Sequence, residues 1–136
     1  MKRITLFFLL CLYQFGYASD TQTLVVETMI KTTQSWDKSK LKEYPKGEPE
    51  ITILNIIIPA HSKLDWHKHP VINAGILIKG QLTVVSDSGE ILEMKEGDAI
   101  VELVDTWHYG KNDSDEPAQI IVFYAGIKDM PISVKK

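Results

Sequence analysis

Three histidines carry the most distinctive chemistry in this sequence. His67 and His69 lie two residues apart in "DWHKHP", and His108 follows in "DTWHYGKN". Alternate side chains of a strand project to the same face, so the first two imidazoles would lie roughly 7 Å apart on one face. If the strand that carries His108 faces this pair across a barrel, a third imidazole joins them. Three neutral imidazoles with positions left open for water or substrate suit a catalytic divalent metal.

Two further polar residues are candidates for the same site. Asn73 follows His69 at even spacing and shares its face if the strand stays regular. Its amide would be a metal ligand, or it would hydrogen-bond an imidazole and fix the ring's orientation. Glu102 lies among apolar residues in "AIVELV", either as an outward side chain on a solvated face or as a buried carboxylate. If it is buried, desolvation would raise its pKa and make it a candidate catalytic acid or base.

Three residues are candidates for the wall of a substrate pocket. Asn55 interrupts the apolar run "EITILNIIIP" and either caps a bulge or points into a cavity. Trp66 and Tyr124 flank or follow the histidine segments, where aromatic side chains commonly form core or pocket wall. His61 is predicted to be solvent-exposed, and Asn112 is predicted to hold a turn or a strand end.

The elements that must position these residues are predicted to be strands. Short β-rich runs alternate with turn residues about every eight to twelve positions, which is typical of an all-β sandwich or barrel. Residues 23–30 predict a first strand, and the apolar run at residues 50–59 predicts a strand buried on both faces. Gly80 lies at a turn where positive φ is often needed. We therefore expect residues 19–136 to form one β domain with little helix.

These residues and their spacing resemble the two sequence motifs of the cupin superfamily. Matching positions in the first motif are His67, His69, Asn73 and Gly80, and those in the second are Gly97, His108 and Asn112. The resemblance implies an antiparallel double-stranded β-helix, the jelly-roll barrel of cupins. It also implies one divalent metal ion per chain, held by the histidines. Iron, nickel, zinc, manganese and copper all accept imidazole, and the sequence does not choose among them.

The sequence departs from the family pattern at several positions. Asn73 replaces the glutamate ligand of the first motif, and Leu103 and Asp105 replace the proline and glycine of the second. Residues 59–60 also lack the glycine that opens the first motif. The replacement at position 73 changes the chemistry, because a neutral amide leaves a divalent ion close to its full charge. Such an ion is a stronger Lewis acid and is bound less tightly.

The resemblance implies a metal-dependent enzyme that acts on a small molecule, chelating molecules included. Cupins with three histidines and no carboxylate ligand include cysteine dioxygenase and the acetylacetone-cleaving dioxygenase, so a dioxygenase-like reaction is implied. A metal-assisted isomerase or lyase stays open. A non-catalytic module that binds a small ligand or a metal is the other alternative.

The N-terminus predicts an export signal. Lys2 and Arg3 precede an apolar run and a small-residue exit near Ala18, so residues 1–18 are predicted to be a cleaved signal peptide. The mature chain would be periplasmic or secreted, with no membrane association. The one cysteine, Cys11, lies within this leader, so the mature chain would hold neither a disulfide nor a thiolate ligand.

Charge and edge strands bear on the partners of the chain. Without Lys2 and Arg3, the 15 basic residues fall to 13 against 18 acidic ones, and the formal charge of −3 becomes −5. This balance argues against a nucleic-acid partner. Exposed strand edges invite pairing, so the strands at residues 23–30 or 50–58 are predicted to form a homodimer.

Overall fold

The structure, a computed structural model, describes residues 23–136, and these residues form strands without helix. Ten strands lie within this range: β1 (Pro49–Ile58), β2 (Ser62–Lys63), β3 (His67–Lys68), β4 (Ile72–Lys79), β5 (Gln81–Ser86), β6 (Ile91–Lys95), β7 (Ala99–Val101), β8 (His108–Asn112), β9 (Ala118–Ile127) and β10 (Val134–Lys135). The predicted leader at residues 1–18 lies outside the described residues. Within them, no helix reaches the length and apolar character that crossing a membrane requires.

The strands form two antiparallel sheets. The first has the order β1-β9-β4-β7. The second has the order β10-β3-β8-β5-β6, and β2 pairs with β8 beside it. Buried residues from both sheets pack into one core, for example Ile120 and Val122 of β9 against Leu82 and Val84 of β5. The predicted antiparallel β-barrel of the jelly-roll class is therefore confirmed.

Side-chain alternation decides which residues reach the barrel interior. In β5, burial alternates along the strand, with Leu82 and Val84 buried and their neighbours more exposed. In β8 the same alternation turns His108, Gly110 and Asn112 inward. A polar histidine and asparagine thus take interior positions that an ordinary barrel strand would fill with apolar side chains.

Strand β1 corrects the prediction of a segment buried on both faces. Its even-numbered apolar residues point inward, and Ile58 is 1% exposed. Its odd-numbered isoleucines Ile51, Ile53 and Ile57 point outward and are 57–64% exposed. The prediction was wrong because β1 is an edge strand of an antiparallel sheet, whose outer face no helix covers.

The predicted strand at residues 23–30 is also absent. Residues 23–32 pair with no strand, and the apolar side chains of Leu24, Val25 and Val26 are more than four-fifths exposed. Residues 27–30 instead border a hollow on the outer side of β4 and β7, together with Phe123 of β9. Residues 27–30 lie over the face of the sheet and not along its edge, so their backbone has no neighbouring strand to pair with. β propensity alone does not make such a segment a strand.

Candidate metal centre

The three motif histidines converge inside the barrel. His67 of β3 and His108 of β8 are direct partners on neighbouring strands, and their ring centroids lie 4.6 Å apart. His69, just beyond β3, lies 5.0 Å from each of them, centroid to centroid. One nitrogen from each ring lies within 4.8 Å of the other two. The third imidazole thus comes from the neighbouring strand and not, as predicted, from across the barrel.

Backbone carbonyls fix the orientation of all three rings. The Nδ1 atoms of His67, His69 and His108 lie 2.8 Å from the carbonyl oxygens of Asp65, Ile132 and Thr106, respectively. A carbonyl only accepts, so each Nδ1 carries the proton and donates. Each Nε2 then keeps its lone pair, which is the form of imidazole that binds a metal.

Burial keeps the imidazoles neutral. His108 is 1% exposed and His69 is 4% exposed. Desolvation lowers the pKa of His69 to about 4 and also lowers the pKa values of His67 and His108. Nearby imidazoles add to the lowering for His67 and His69 through repulsion between charged rings. Near neutral pH the three lone pairs are free of protons and available to a cation.

Glu102 lies in the same cavity. It follows the last residue of β7, and its Oε2 is 3.6 Å from His108 Nε2, too far for a hydrogen bond. Neither atom has a hydrogen-bond partner. Desolvation raises the pKa of Glu102 to about 7. The structure therefore supports the buried alternative for Glu102 and excludes the solvated one.

The histidines line a small cavity that opens into a larger groove. The cavity has a volume of about 50 Å³, and Glu102 and apolar side chains of β1, β5 and β9 complete its wall. The adjoining groove has a volume of about 310 Å³. His67, His69 and Tyr124 line both spaces. An ion and a few ligand atoms fit the cavity, while the groove has room for the rest of a small molecule.

Tyr124 belongs to the hydrophobic core of the barrel and also lines the cavity beside the histidines. It is 4% exposed, and its ring centroid lies 5.4 Å from that of His69. Burial, and then the nearby Glu102, raise the pKa of its hydroxyl to about 12. A hydroxyl that stays protonated can donate a hydrogen bond, and Tyr124 lines the cavity.

Asn73 lies apart from the cavity wall. The chain turns at Pro70, so β3 and β4 belong to different sheets and the regular strand assumed in the sequence analysis does not exist. Asn73 is 1% exposed, its Nδ2 donates to the Val71 carbonyl at 3.3 Å, and no residue of β4 lines the cavity. Its Oδ1 is buried without a hydrogen-bond partner. Asn73 is therefore buried in the barrel and does not line the cavity, and its role as a metal ligand stays a prediction.

Two predicted pocket residues lie outside the cavity because strand alternation turns them away. Asn55 occupies an outward position of β1 and accepts a hydrogen bond from Gln119 on the exposed face. Trp66 alternates with His67 and packs edge-on against Tyr109, with ring centroids 4.6 Å apart. His61 is exposed and contacts Asp115, as predicted for a residue outside the site.

Some contributors to the site have no signal in the motifs. Ile132 orients His69 from 63 residues away, and its side chain lines the groove with Leu54 and Leu64. Asp105 replaces the motif glycine, yet its φ of 56° keeps the left-handed turn, and its amide donates to the His69 carbonyl at 2.8 Å. Aspartate adopts this conformation more readily than most residues, so the turn survives the substitution.

The residues present fit a divalent metal ion. Three ligands bound to one ion at about 2.1 Å lie roughly 3.0–3.4 Å from one another in a tetrahedral or octahedral shell. The ring nitrogens, within 4.8 Å of one another, would need to move together by at most about an ångström each. The buried and unpaired Nε2 of His108 supports the same conclusion, since a buried polar atom without a partner is unfavourable. The three histidines could therefore hold one ion.

Fold and site together define a cupin-type barrel, and the comparisons agree. The cupin domain profile matches residues 54–124, so the chain belongs to the cupin family. No curated protein matches the chain in sequence.

Three solved structures illustrate the structural likeness. DMSP lyase DddQ from Ruegeria pomeroyi DSS-3 has a TM-score of 0.56 and 16% identity over 63% of this chain and 43% of that protein. The oxalate decarboxylase of Lactobacillus farciminis has a TM-score of 0.54 and 19% identity, covering 62% and 26% of the two chains. The salicylate 1,2-dioxygenase of Pseudaminobacter salicylatoxidans has a TM-score of 0.50 and 19% identity, covering 54% and 21%. The chain spans less than half of each protein, and the likeness concerns the fold alone.

Proposed function

We propose that the protein is a metal-dependent cupin enzyme that acts on a small chelating molecule. The observation that carries the proposal is the convergence of three oriented imidazoles, each with its Nδ1 bonded to a backbone carbonyl, on one cavity beside a groove. One divalent ion bound there would polarise the substrate and, if it is iron, activate oxygen.

Different residues would bind the ion, donate a hydrogen bond to the substrate and pack against it. His67, His69 and His108 would hold the ion, and their buried surroundings would exclude bulk water from it. Tyr124 would donate a hydrogen bond to a substrate oxygen from the cavity wall, since its hydroxyl stays protonated. The apolar side chains of Leu54, Leu64 and Ile132 would pack against the substrate's carbon skeleton in the groove.

The cavity and the groove together support a substrate whose polar end reaches the ion. The cavity of about 50 Å³ is too small for a whole organic substrate, so only its polar end would enter. The similar folds include a lyase, a decarboxylase and a dioxygenase. We place oxidative cleavage first among the reactions to test and metal-assisted lyase or isomerase chemistry second.

Turnover assays test this function. Protein loaded with iron(II), nickel(II) or manganese(II) is given a panel of diketones, thiols and small carboxylates, and oxygen uptake and product formation are followed. We expect turnover that His67→Ala abolishes and His61→Ala preserves. Stoichiometric metal binding without turnover of any compound would contradict the enzymatic proposal and favour the non-catalytic binding module.

We also propose that the chain forms a homodimer through the outer face of β1. Ile51, Ile53 and Ile57 are exposed on this edge strand, and Phe123 lies beside Ile53 on β9. An edge strand offers unpaired backbone groups as well as this apolar surface, so a second copy can bury both.

We further propose that the protein works outside the cytoplasm. The support is the pattern of residues 1–18, with Lys2 and Arg3 before an apolar run. N-terminal sequencing of protein recovered from the periplasm or medium tests this, and a chain that keeps Met1 in the cytoplasm would contradict it.

A further inference from the structure

The most informative unassigned group in the cavity is the carboxylate of Glu102. Its Oε2 is buried without a hydrogen-bond partner and lies 3.6 Å from His108 Nε2, which is equally unpartnered. Burying a carboxylate oxygen without a partner is strongly unfavourable, and so is burying an unpaired imidazole nitrogen. Two such atoms facing each other are explained if a cation binds both.

The separation of these two atoms fits shared coordination. Ligand atoms bound at about 2.0–2.2 Å to one ion lie roughly 2.8–3.6 Å apart when they occupy neighbouring positions, and the upper part of this range belongs to a tetrahedral shell. The observed 3.6 Å falls at the upper end of this range. Glu102 Oε2 and His108 Nε2 therefore need almost no movement to bind the same ion, whereas binding of that ion by all three histidines as well would draw the carboxylate closer to the rings, because Glu102 is not within 4.8 Å of all three.

The backbone on both sides of Glu102 holds its side chain in this direction. Its amide donates to the Asn73 carbonyl of β4 at 3.1 Å, and its carbonyl accepts from Ser35 Oγ at 2.8 Å. The amide of Trp36 continues the contact by donating to the Val101 carbonyl at 2.9 Å. The end of β7 is thus fixed between β4 and residues 35–36.

The hydrogen bond from the Glu102 amide to the Asn73 carbonyl places the two candidate oxygen ligands on adjacent backbone segments. Position 73, where the family motif has a glutamate, lies directly beside Glu102 across neighbouring backbone segments. The amide of Asn73 bonds to the Val71 carbonyl and no part of β4 lines the cavity, whereas Glu102 does line it. A carboxylate is thus present near the histidines, but it is supplied by the neighbouring segment.

We infer that Glu102, and not Asn73, supplies the oxygen ligand of the metal, so that the site has three imidazoles and one relocated carboxylate. This inference rests on the proposed metal function. In place of the expected carboxylate-free centre, it gives a site in which a carboxylate ligand lowers the net charge of a bound divalent ion from +2 to +1.

Metal affinity separates the two candidate oxygen ligands. Zinc(II) affinity is measured by competition with a chromophoric chelator for the wild type, Glu102→Gln, Asn73→Ala and His108→Ala, each checked for folding by circular dichroism. Glutamine keeps the volume of glutamate and removes the anionic ligand. Loss of a group that only supports a ligand typically weakens metal binding about 10–100-fold, so we expect Glu102→Gln to weaken it by about 100-fold or more. Asn73→Ala should weaken it by less than about tenfold.

The outcomes distinguish this inference from the function on which it rests. If His108→Ala loses zinc and Glu102→Gln binds it like the wild type, the metal site stands and the relocated ligand is overturned. If His108→Ala keeps wild-type affinity, the proposed metal centre itself fails. Should Glu102→Gln not fold, a crystal structure of zinc-loaded wild type decides. A distance of about 2.0–2.2 Å from zinc to a Glu102 oxygen supports the ligand, and an ion beyond hydrogen-bonding distance of that carboxylate overturns it.

Discussion

The two faces of the first sheet reverse the usual distribution of polar and apolar side chains in a β-barrel. Its inner face borders a cavity that holds imidazoles and a carboxylate with unpaired polar atoms. Its outer face presents isoleucines and Phe123 to solvent. Each arrangement is unfavourable for an isolated chain, since buried polar atoms lack partners on one side and apolar surface lacks cover on the other. The proposed cation and the proposed second copy would each remove one of these unfavourable features.

Adjacent residues of β1 provide the most severe test of this contrast. Ile58 is 1% exposed and faces the core, whereas Ile57 is 63% exposed and faces outward. We expect Ile58→Asp to lower the free energy of unfolding by more than about 4 kcal/mol, because it buries an unpaired charge. Ile57→Asp should change it by less than about 0.5 kcal/mol when measured on monomer at low concentration. Urea titrations check both, and equal losses would show that the faces have been misassigned.

A pair of asparagines tests the same contrast with polar side chains. The buried Asn112 amide donates to the carbonyls of Ile58, Pro59 and Glu116, and its Oδ1 accepts from Ser114. We expect Asn112→Ala to cost about 2–4 kcal/mol, because several buried backbone groups lose their partner at once. The matched change Asn55→Ala removes one exposed hydrogen bond and should cost under about 1 kcal/mol. Thermal melts that rank the two variants the other way would contradict the structure.

The pH dependence of the metal-free protein sharpens the account of the inner face. The pKa of His69 is lowered to about 4, so stability from its neutral form is present above pH 6.5 and is lost as pH falls towards 4. The pKa of Glu102 is raised to about 7, so its contribution has the opposite sign, and stability falls as pH rises from 4.5 to 7. The two effects partly cancel in the wild type.

The variant Glu102→Gln removes the contribution of the Glu102 carboxyl to the pH dependence of stability, so that the contribution of His69 should become visible. Between pH 4.5 and 6.5 we expect its free energy of unfolding to rise with pH more steeply than that of the wild type, by up to about 1.4 kcal/mol per pH unit. Urea titrations of metal-free protein across this range measure the difference. Parallel curves would show that Glu102 titrates as an ordinary exposed carboxylate.

Substitutions on the outer face of the first sheet should have the smallest effect on folding. Their effect should appear in the formation of the proposed dimer. Ile53 lies opposite Phe123 in the register of β1 and β9, and both are exposed. We expect Ile53→Asp to convert dimer to monomer while leaving monomer stability within about 0.5 kcal/mol of the wild type. Analytical ultracentrifugation over a concentration series checks this. A wild type that is monomeric throughout the series would contradict the proposed dimer.

Local spacing predicted the features of this site that depend on a single strand or turn. The alternation of His67 and His69 predicted a shared face, and Gly80 adopts the expected positive φ of 79°. Spacing could not say which strands become neighbours. The turn at Pro70 moves Asn73 into the other sheet, while the end of β7 brings Glu102 to the cavity. These placements depend on pairing between distant segments, as does the bond from His69 to Ile132.

The number of metal ions bound per chain tests the central claim most directly. Wild type, His108→Ala and His61→Ala are loaded with zinc(II), dialysed, and counted by plasma mass spectrometry. His108 contributes a buried, unpaired Nε2 to the cavity, whereas His61 is exposed beside Asp115. We predict one ion per chain in the wild type and in His61→Ala, and none in folded His108→Ala. Equal zinc content in all three proteins would contradict a shared ion at the three imidazoles.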